Sequence, residues 1–212
     1  MAKKMDRFSL STFQRLPIYL NYLSTFDLTT QKNISATKIA KALCLGEVQV
    51  RKDLATLNCL GRPKTGYDIA TLIKALKHTL GCNTLTDAVL VGVGKLGQAL
   101  MGYGGFSEFG LSIVAGFDTD QNKVGKVIQN KSVFHLSSLR EFVEQHNVKI
   151  VILTVPAEYA QEIIEMIDGS CVKGIWNFST AHIIPPKGVR IKTENIATSL
   201  ALLAKQINEM PL

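Results

Sequence analysis

The sequence lacks any apolar run long enough to cross a membrane. No stretch approaches the roughly 18 consecutive apolar residues that a spanning helix requires. The N-terminal segment MAKKMDRFSLSTFQ is basic but has no apolar core of the kind that secretory signals carry. We therefore expect a cytoplasmic protein with no membrane partner.

Cysteine is scarce and scattered. Cys44, Cys59, Cys82 and Cys171 are the four cysteines, and no two of them form a C-x-x-C pair. This spacing excludes the common zinc ribbons, iron–sulfur motifs and thioredoxin-type redox sites. We expect four reduced, mostly buried thiols and no metal site.

Acidic residues are few in the first part of the chain. Residues 1–80 hold 13 lysines and arginines against 5 aspartates and glutamates, a net charge of +8. Residues 81–212 hold 11 and 12, a net charge of −1, so the whole surplus of +7 comes from the first part. Such a surplus indicates an anionic partner, with nucleic acid as the first candidate. The alternative is an ordinary solvated basic surface.

The first 80 residues have the pattern of short helices followed by a hairpin. Helices are predicted at 11–24, 36–43, 47–59 and 69–80. Pro17 either kinks the first helix or marks the start of its regular part. Ser35 is a good N-cap for the second helix, and Gly81 ends the fourth. In the third helix, the inward residues would be Val48, Leu54 and Leu57, with Val50 partly buried.

The segment 61–67, Gly-Arg-Pro-Lys-Thr-Gly-Tyr, is basic and rich in turn residues, as in the tip of a hairpin. Helix, turn, helix and basic hairpin form the layout of a winged helix-turn-helix, whose second helix enters the major groove of DNA. Gln49 would reach a base edge there, and Arg51 and Lys52 would reach guanine or phosphate. Arg62 and Lys64 on the wing suit a minor groove. The alternative is a helical bundle that packs on another domain or protein.

After a linker at 82–87, strands and helices alternate. Apolar strands are predicted at 88–91, 111–117, 149–155 and 172–176, with helices from 98, at 136–145 and at 158–167. This order is typical of a parallel sheet with crossover helices. The fold class is therefore α/β: a winged helix-turn-helix, a doubly wound Rossmann domain, and a final amphipathic helix at 197–208.

A G-x-G-x-x-G fingerprint directly follows the first of these strands. Gly92 permits a sharp turn, Gly94 lets backbone N–H groups approach a pyrophosphate, and Gly97 lets the helix pack closely on the strand. Asp118 ends the second strand, where a carboxylate binds ribose hydroxyls and repels a 2′-phosphate. The combination predicts NAD(H) rather than NADP(H). The alternatives are a domain that binds AMP, coenzyme A or another nucleotide, and one that has lost its ligand.

No residue stands out as catalytic. Of the four histidines, only His182 follows a predicted strand end, and a loop position near the surface is its simpler interpretation. Beyond the dinucleotide unit, most of the remaining chain is the basic module, which leaves little for a substrate domain. A sensor that binds DNA and a dinucleotide is therefore favoured over an enzyme.

In combination, these residues resemble the Rex family of redox-sensing transcriptional repressors. The resemblance covers nearly the whole chain. The segments that carry it are RLP at 15–17, VRKDL at 50–54, the wing at 61–67, VGVGKLG at 91–97, FD at 117–118, LTVPA at 153–157 and KGIWNF at 173–178.

The resemblance implies a homodimeric repressor that senses the NADH/NAD⁺ ratio. Such a protein binds a palindromic operator in double-stranded DNA when NAD⁺ dominates and leaves it when NADH binds. The implied domains are a winged helix at 1–82, a Rossmann domain at 83–196 and, at 197–212, a dimerisation helix swapped onto the partner's Rossmann domain.

The resemblance also implies three sets of site residues. The nucleotide set is Gly92, Val93, Gly94, Lys95, Leu96, Gly97, Tyr103, Asp118, Thr119, Lys123, Thr154, Val155, Pro156, Asn177 and Phe178. The DNA-facing set is Ser35, Lys38, Gln49, Arg51, Lys52, Arg62, Lys64, Gly66 and Tyr67. The switch set is Arg15, Asn195 and Ile196.

Some positions depart from the family pattern. Asn195 and Ile196 stand where better-known members have an Asp-Phe pair, so a contact between Asn195 and Arg15 would lack one charge and be weaker. Two rival interpretations remain. One is a repressor of the same build that answers to another adenine nucleotide. The other is a small NAD-dependent oxidoreductase whose N-terminal part only dimerises.

Overall fold

A computed structural model describes residues 9–59 and 61–209. The chain divides into two compact units, Met1–Thr84 and Leu85–Leu212. The start of the basic N-terminal segment, residues 1–8, and the end of the predicted dimerisation segment, residues 210–212, lie outside the described residues. Within the described ranges, no helix is long and apolar enough to cross a membrane.

The first unit contains four helices and a small sheet in its described part. The elements are α1 (Leu10–Ser24), β1 (Asn33–Ile34), α2 (Ala36–Ala42), α3 (Glu47–Thr56), β2 (Tyr67–Asp68) and α4 (Ile69–Leu80). β1 and β2 pair antiparallel, and a bridge between Arg62 and Gly66 closes the wing. Ser35 caps α2 by accepting a hydrogen bond from the Lys38 amide, and left-handed Gly81 ends α4, both as predicted.

The structure excludes one alternative for these helices and corrects two predictions. α1 runs without interruption through Pro17, so its regular part does not begin there. α3 ends at Thr56 rather than at residue 59, and Asn58 has a positive φ of 57° that is incompatible with a continuing helix. Val48 is 67% exposed, whereas Val50 is completely buried, because the inward face of α3 is rotated relative to the predicted one.

The second unit is a doubly wound α/β domain. Its elements are β3 (Thr86–Val91), α5 (Lys95–Gly102), β4 (Leu111–Asp118), β5 (Val127–Ile128), β6 (Lys131–His135), α6 (Leu139–Gln145), β7 (Ile150–Leu153), α7 (Ala157–Met166), β8 (Gly174–Asn177), β9 (Arg190–Thr193) and α8 (Ile196–Asn208). Across the described residues, the sheet order is β5-β6-β4-β3-β7-β8-β9, and only β5 pairs antiparallel. The strand order reverses at β3, where doubly wound folds bind their ligands.

The sequence analysis missed three of these strands. β5 has two residues, and β6 reads KSVFH, with neither a continuous apolar run nor a strong alternation. β9 is an exposed edge strand, RIKT. These strands form because neighbouring backbones need partners at the two ends of the sheet, which a local apolar pattern does not reveal.

Each face of the sheet carries its own apolar cluster. One cluster joins Val91, Phe117 and Leu153 to α6 and α7, and the other joins Leu90 and Ile152 to Met101 of α5. A row of four aromatic rings continues the second cluster, with centroids 4.9, 5.6 and 4.6 Å apart along Tyr103, Phe106, Trp176 and Phe178. The Trp176 indole donates a hydrogen bond of 3.3 Å to Glu194, just before α8.

Helix α8 buries none of its residues in the described chain. Its apolar side chains Ile196, Leu200, Leu203 and Ile207 recur at helical spacing and are all more than half exposed.

All four cysteines are free, but the expectation that they are mostly buried is wrong. Cys44 is exposed, and the other three are partly buried.

Candidate functional site

The turn between β3 and α5 is built around glycine. Gly92 has φ +95°, a conformation that side chains rarely adopt, and a Cβ there would lie 2.7 Å from the Thr154 carbonyl oxygen. The Thr154 hydroxyl donates a hydrogen bond of 2.7 Å to the Gly92 carbonyl. This contact ties the turn to the end of β7.

Gly94 and Gly97 serve different ends in this turn. A Cβ on Gly97 would collide with the Gly92 carbonyl oxygen. Because glycine has no Cβ, α5 can pack closely against the end of β3. A Cβ on Gly94 would meet nothing within 4 Å. The space beside Gly94, at the N-terminus of α5, is therefore open to a ligand, and helix N-termini favour anions.

Asp118 lies at the end of β4 and accepts hydrogen bonds from three donors. These are the Val93 amide at 2.8 Å, the Asp120 amide at 2.9 Å and the Lys123 ammonium at 3.0 Å. Burial alone would raise the pKa of Asp118, but the bonds from Asp120, Lys123 and Val93 outweigh it and lower the pKa. The carboxylate is therefore ionised at neutral pH and able to accept bonds from hydroxyl groups.

These residues surround a cavity of about 540 Å³ at the carboxyl ends of β3, β4 and β7. Eight residues of the predicted nucleotide set line it: Gly92, Gly94, Asp118, Thr119, Lys123, Thr154, Val155 and Pro156. The sequence analysis missed Val91, Phe117, Leu136, Tyr159, Glu162 and Ile163. Three of these lie at i, i+3 and i+4 on α7, and nothing in that ordinary amphipathic pattern marks them as facing a ligand.

The structure does not bring the whole predicted set to this cavity. Val93, Lys95, Leu96, Gly97, Tyr103, Asn177 and Phe178 are not among its lining residues. Tyr103 and Phe178 belong to the aromatic row instead. Asn177 is fully buried, and its side chain bonds Ser179, Ala181 and Thr193, which gives it a structural role here.

A second cavity, of about 480 Å³, lies between the wing, the start of α2 and the helix α3. Six residues of the predicted DNA-facing set line it: Ser35, Arg51, Arg62, Lys64, Gly66 and Tyr67. Three of them are cationic. Gly66 has φ +81°, and a Cβ there would collide with the Ile34 carbonyl oxygen. The wing is thereby held tightly against β1.

The other three members of the DNA-facing set lie outside that cavity. Lys38 donates to the Gln31 carboxamide and lies over the Phe26 ring. Lys52 is exposed on α3. Gln49 is also on α3 and donates from Nε2 to Oδ1 of Asp53 at 2.9 Å.

Two of the three switch residues have hydrogen-bond partners within their own units. Arg15 donates to both carboxylate oxygens of Asp53, at 2.7 and 2.9 Å. Asn195 caps α8, since its Oδ1 accepts from the Thr198 amide at 3.0 Å. Ile196 is exposed. The sequence analysis quoted Asp53 in a family segment but gave it no role.

Two family models match the chain. The model described as "CoA binding domain" matches residues 83–181, and the model described as "Putative DNA-binding protein N-terminus" matches residues 8–55. The first spans the Rossmann sheet as far as β8, and the second spans α1 to α3.

Curated relatives match the chain along almost all of its length. A protein of Treponema denticola is 40% identical over 195 residues, which is 92% of this chain and 93% of the relative. A protein of Listeria welshimeri is 33% identical over 211 residues, 100% of this chain and 98% of the relative. A protein of Bacteroides thetaiotaomicron is 34% identical over 197 residues, 93% and 90% of the two chains. All three are named redox-sensing transcriptional repressor Rex.

Solved structures agree with the fold. RSP in complex with β-NAD⁺ and operator DNA has a TM-score of 0.86 at 26% identity, covering 95% of this chain and 93% of that one. RSP in complex with β-NADH has a TM-score of 0.84 at 26% identity, covering 95% of both. RSP is described as a Rex-family repressor.

Proposed function

Because the chain belongs to the Rex family of redox-sensing transcriptional repressors, we propose that it represses transcription by binding operator DNA, and that NADH and NAD⁺ control this binding. The observation that supports nucleotide binding is the cavity where the strand order reverses. An ionised Asp118 lines it, and so does Gly94, beside which there is open space. No covalent step is needed for this function, so the chain acts as a regulator rather than as an enzyme.

The cavity suits an adenine dinucleotide in a definite orientation. The pyrophosphate binds beside Gly94 at the N-terminus of α5. The adenosine ribose donates its hydroxyls to Asp118. The adenine ring lies against the apolar walls formed by Leu136 and Ile163. The whole segment 92–97 is proposed to hold the pyrophosphate and adenosine half together with Asp118. Thr154, Val155 and Pro156 are proposed for the nicotinamide side, and Tyr103 for the cofactor and the subunit interface.

The ribose end argues for NAD(H) over the coenzyme A that one family model suggests. Coenzyme A carries a phosphate on its 3′-oxygen and NADP(H) carries one on its 2′-oxygen, whereas NAD(H) has free hydroxyls at both positions. An ionised Asp118 accepts bonds from hydroxyls and repels phosphates. Lys123, 3.0 Å away, offsets part of this repulsion but is held by Asp118 and Asp120.

The basic cavity of the first unit is suited to bind DNA phosphates at the edge of a groove. Arg51, Arg62 and Lys64 surround it, and the neighbouring face of α3 exposes Lys52. Phosphate contacts from such residues supply affinity, and side chains on the inserted helix supply specificity. We place α3 in the major groove and the wing in a minor groove.

We infer that the active form is a homodimer that uses α8, which covers most of the segment 197–212, as its swapped helix. α8 exposes an apolar stripe, and the sheet of the same unit has an open apolar groove of about 580 Å³ lined by Leu111, Ile150 and Trp176 among others. A second copy offers a helix that fits such a groove. Two identical winged helices then require two half-sites, which makes the operator a palindrome.

The control mechanism is a shift between two arrangements of the dimer. A ligand shifts an equilibrium only by its difference in affinity for the two states. NADH therefore binds the arrangement that does not fit the operator more tightly than the one that fits, and NAD⁺ does not. Rotation of one subunit relative to the other is enough to separate the two winged helices from their half-sites.

The test is fluorescence anisotropy of a labelled palindromic Rex-type operator with the purified chain, titrated separately with NADH, NAD⁺ and coenzyme A. Release by NADH at concentrations where the other two have little effect is the expected result. Arg62→Ala serves as a control for the wing. It is expected to bind the operator more weakly than the wild type in all three titrations. Tight binding that ignores all three ligands would overturn the sensor, and no binding of any operator duplex would overturn the repressor.

A further inference from the structure

Asp53 is the most heavily bonded buried charge in the described part of the first unit. Its side chain is 1% exposed. Three side chains of α1 donate to its two oxygens: Thr12 at 3.1 Å, Arg15 at 2.7 and 2.9 Å, and Tyr19 at 2.7 Å. Gln49, one turn earlier on α3, donates to the same carboxylate at 2.9 Å.

The surroundings of Asp53 keep it ionised. Burial alone would raise its pKa, but hydrogen bonds from Arg15, Tyr19 and Gln49 outweigh burial and lower the pKa. An ionised carboxylate only accepts hydrogen bonds. The group of Gln49 that faces it is therefore the amide NH₂, and the carbonyl oxygen Oε1 is left for another partner.

This arrangement fixes the orientation of the Gln49 side-chain amide, which would otherwise rotate freely. An unrestrained glutamine on a recognition helix presents either its oxygen or its nitrogen to DNA, because the two groups are similar in size. Three donors on α1 hold the two oxygens of Asp53, so the carboxylate is restrained and does not follow Gln49. The anchor for the amide is thus the junction of two helices rather than one flexible side chain.

We infer that Asp53 is a positioning residue for DNA recognition, which holds Gln49 so that its Oε1 accepts a hydrogen bond from an exocyclic amino group of adenine or cytosine in the major groove. This inference rests on the proposed function, since it assumes that α3 enters the groove. In the major groove, guanine and thymine present oxygen acceptors, whereas adenine and cytosine present amino donors. A fixed amide distinguishes these two classes better than a free one.

The experiment begins with an operator that the wild-type protein selects from random-sequence duplexes. Each position is then replaced in turn, and affinity is measured by anisotropy for the wild type, Gln49→Ala, Asp53→Asn and the double variant. The wild type is expected to prefer adenine or cytosine at one position per half-site by about five- to a hundredfold. Gln49→Ala and Asp53→Asn both lose this preference, and the double variant loses no more than either.

Tyr19→Phe is the matched control. It removes one bond to Asp53 without touching Gln49, so it is expected to lower the melting temperature while keeping the base preference. A general loosening of the α1–α3 junction would instead weaken binding to every duplex alike and leave the preference in Asp53→Asn. That outcome, or Gln49→Ala with an unchanged preference at every position, overturns the inference.

A second measurement covers the case in which Asp53→Asn does not fold. In nitrogen-15 NMR spectra of the wild type, the side-chain amide of Gln49 is identified by its loss in Gln49→Ala. Because this amide is hydrogen-bonded to Asp53, its protons are expected to exchange slowly with solvent and its resonance is expected to be shifted from that of free glutamine. An amide resonance like that of free glutamine overturns the inference. Failure of the wild type to bind any duplex overturns the proposed function instead.

Discussion

At the scale of single residues, two aspartates differ from the surface acids around them. Asp53 and Asp118 are both largely buried, and hydrogen bonds lower the pKa of both despite that burial. One bonds two helices together in the first unit, and the other lines the cavity at the end proposed for the ribose. Hydrogen bonds to a buried carboxylate thus stabilise the fold in one place and keep a carboxylate ionised in the proposed binding site in the other.

Asp53 predicts how the first unit responds to acid. Its pKa in the folded state lies below its value in the unfolded chain, so its stabilisation is complete above about pH 4 and is lost as the pH falls through the folded-state pKa. We expect the free energy of unfolding of the wild type to fall as the pH drops below about 4. Urea titrations followed by circular dichroism at several pH values measure it.

Asp53→Asn removes the titrating group, so this variant is expected to be less stable at neutral pH and to show a flatter dependence on pH. Asp27→Asn is the control, because Asp27 also has a lowered pKa, from the Thr29 hydroxyl and amide, but is fully exposed. An Asp53→Asn profile as steep as that of the wild type would contradict the assignment.

The charge of Asp118 is expected to determine the selectivity of the cavity for NADH over NADPH. Asp118→Asn removes the charge that strengthens bonds to the ribose hydroxyls, and we expect its affinity for NADH to fall roughly ten- to a hundredfold. Its preference for NADH over NADPH should narrow, because the repulsion of a 2′-phosphate is lost. Calorimetric titration with both nucleotides tests this. Asp120→Asn, a change at a more exposed carboxylate that also contacts Lys123, is the control, and equal effects from both variants would count against the role of Asp118.

At the scale of elements, two glycines of the turn between β3 and α5 are expected to differ in role: Gly97 in folding, and Gly94 in binding the nucleotide. Gly97→Ala places a methyl group against the Gly92 carbonyl, and we expect it to destabilise the second unit by about 1–3 kcal/mol. Gly94→Ala meets no atom of the protein within 4 Å, so its melting temperature should stay close to that of the wild type. Its affinity for NADH should fall sharply, because the methyl group occupies the space proposed for the pyrophosphate. Thermal melts and NADH titrations of both variants decide the matter, and tight NADH binding by Gly94→Ala would refute this placement.

The elements also show which parts of the fold were predictable from sequence. α2, α4 and the β3–α5 turn have strong local signals: a serine N-cap, a glycine that ends a helix, and spaced glycines after an apolar strand. β6 and β9 have none, because these strands, which lie next to one edge of the sheet and at the other edge, are stabilised by pairing with their neighbours rather than by their own side chains.

The candidate site divides in the same way. Asp118 and the glycines of 92–97 follow from backbone geometry that a motif encodes. Tyr159 and Glu162 reach the cavity only because the crossover places α7 beside the ends of β3 and β7. Asp53 was missed because its three donors on α1 are separated from it by 34 to 41 positions along the chain. No spacing rule detects such a contact.

At the scale of the whole molecule, α8 is expected to decide the oligomeric state. The double variant Leu200→Lys and Leu203→Lys places two charges in the middle of the exposed apolar stripe. Neither leucine is buried within the chain, so each unit should fold, but the dimer should dissociate, since burying an unpaired charge is costly. Light scattering after size-exclusion chromatography measures the mass, and affinity for a full palindrome should fall to that for a half-site.

Ala201→Lys adds a charge on the side of α8 away from the stripe and is the control, with dimerisation expected to persist. A double leucine variant that keeps the mass of a dimer would mean that α8 is not the contact between subunits.

The place of Trp176, in the aromatic row and bonded to Glu194, has an optical consequence. It is the single tryptophan of the chain and belongs to the same unit as the dinucleotide cavity. Indole emission overlaps the absorption band of reduced nicotinamide and not that of the oxidised ring. Excitation energy is therefore expected to pass from Trp176 to NADH bound as proposed, and not to bound NAD⁺. The protein would then carry its own spectroscopic reporter of redox state, which requires neither a dye nor DNA.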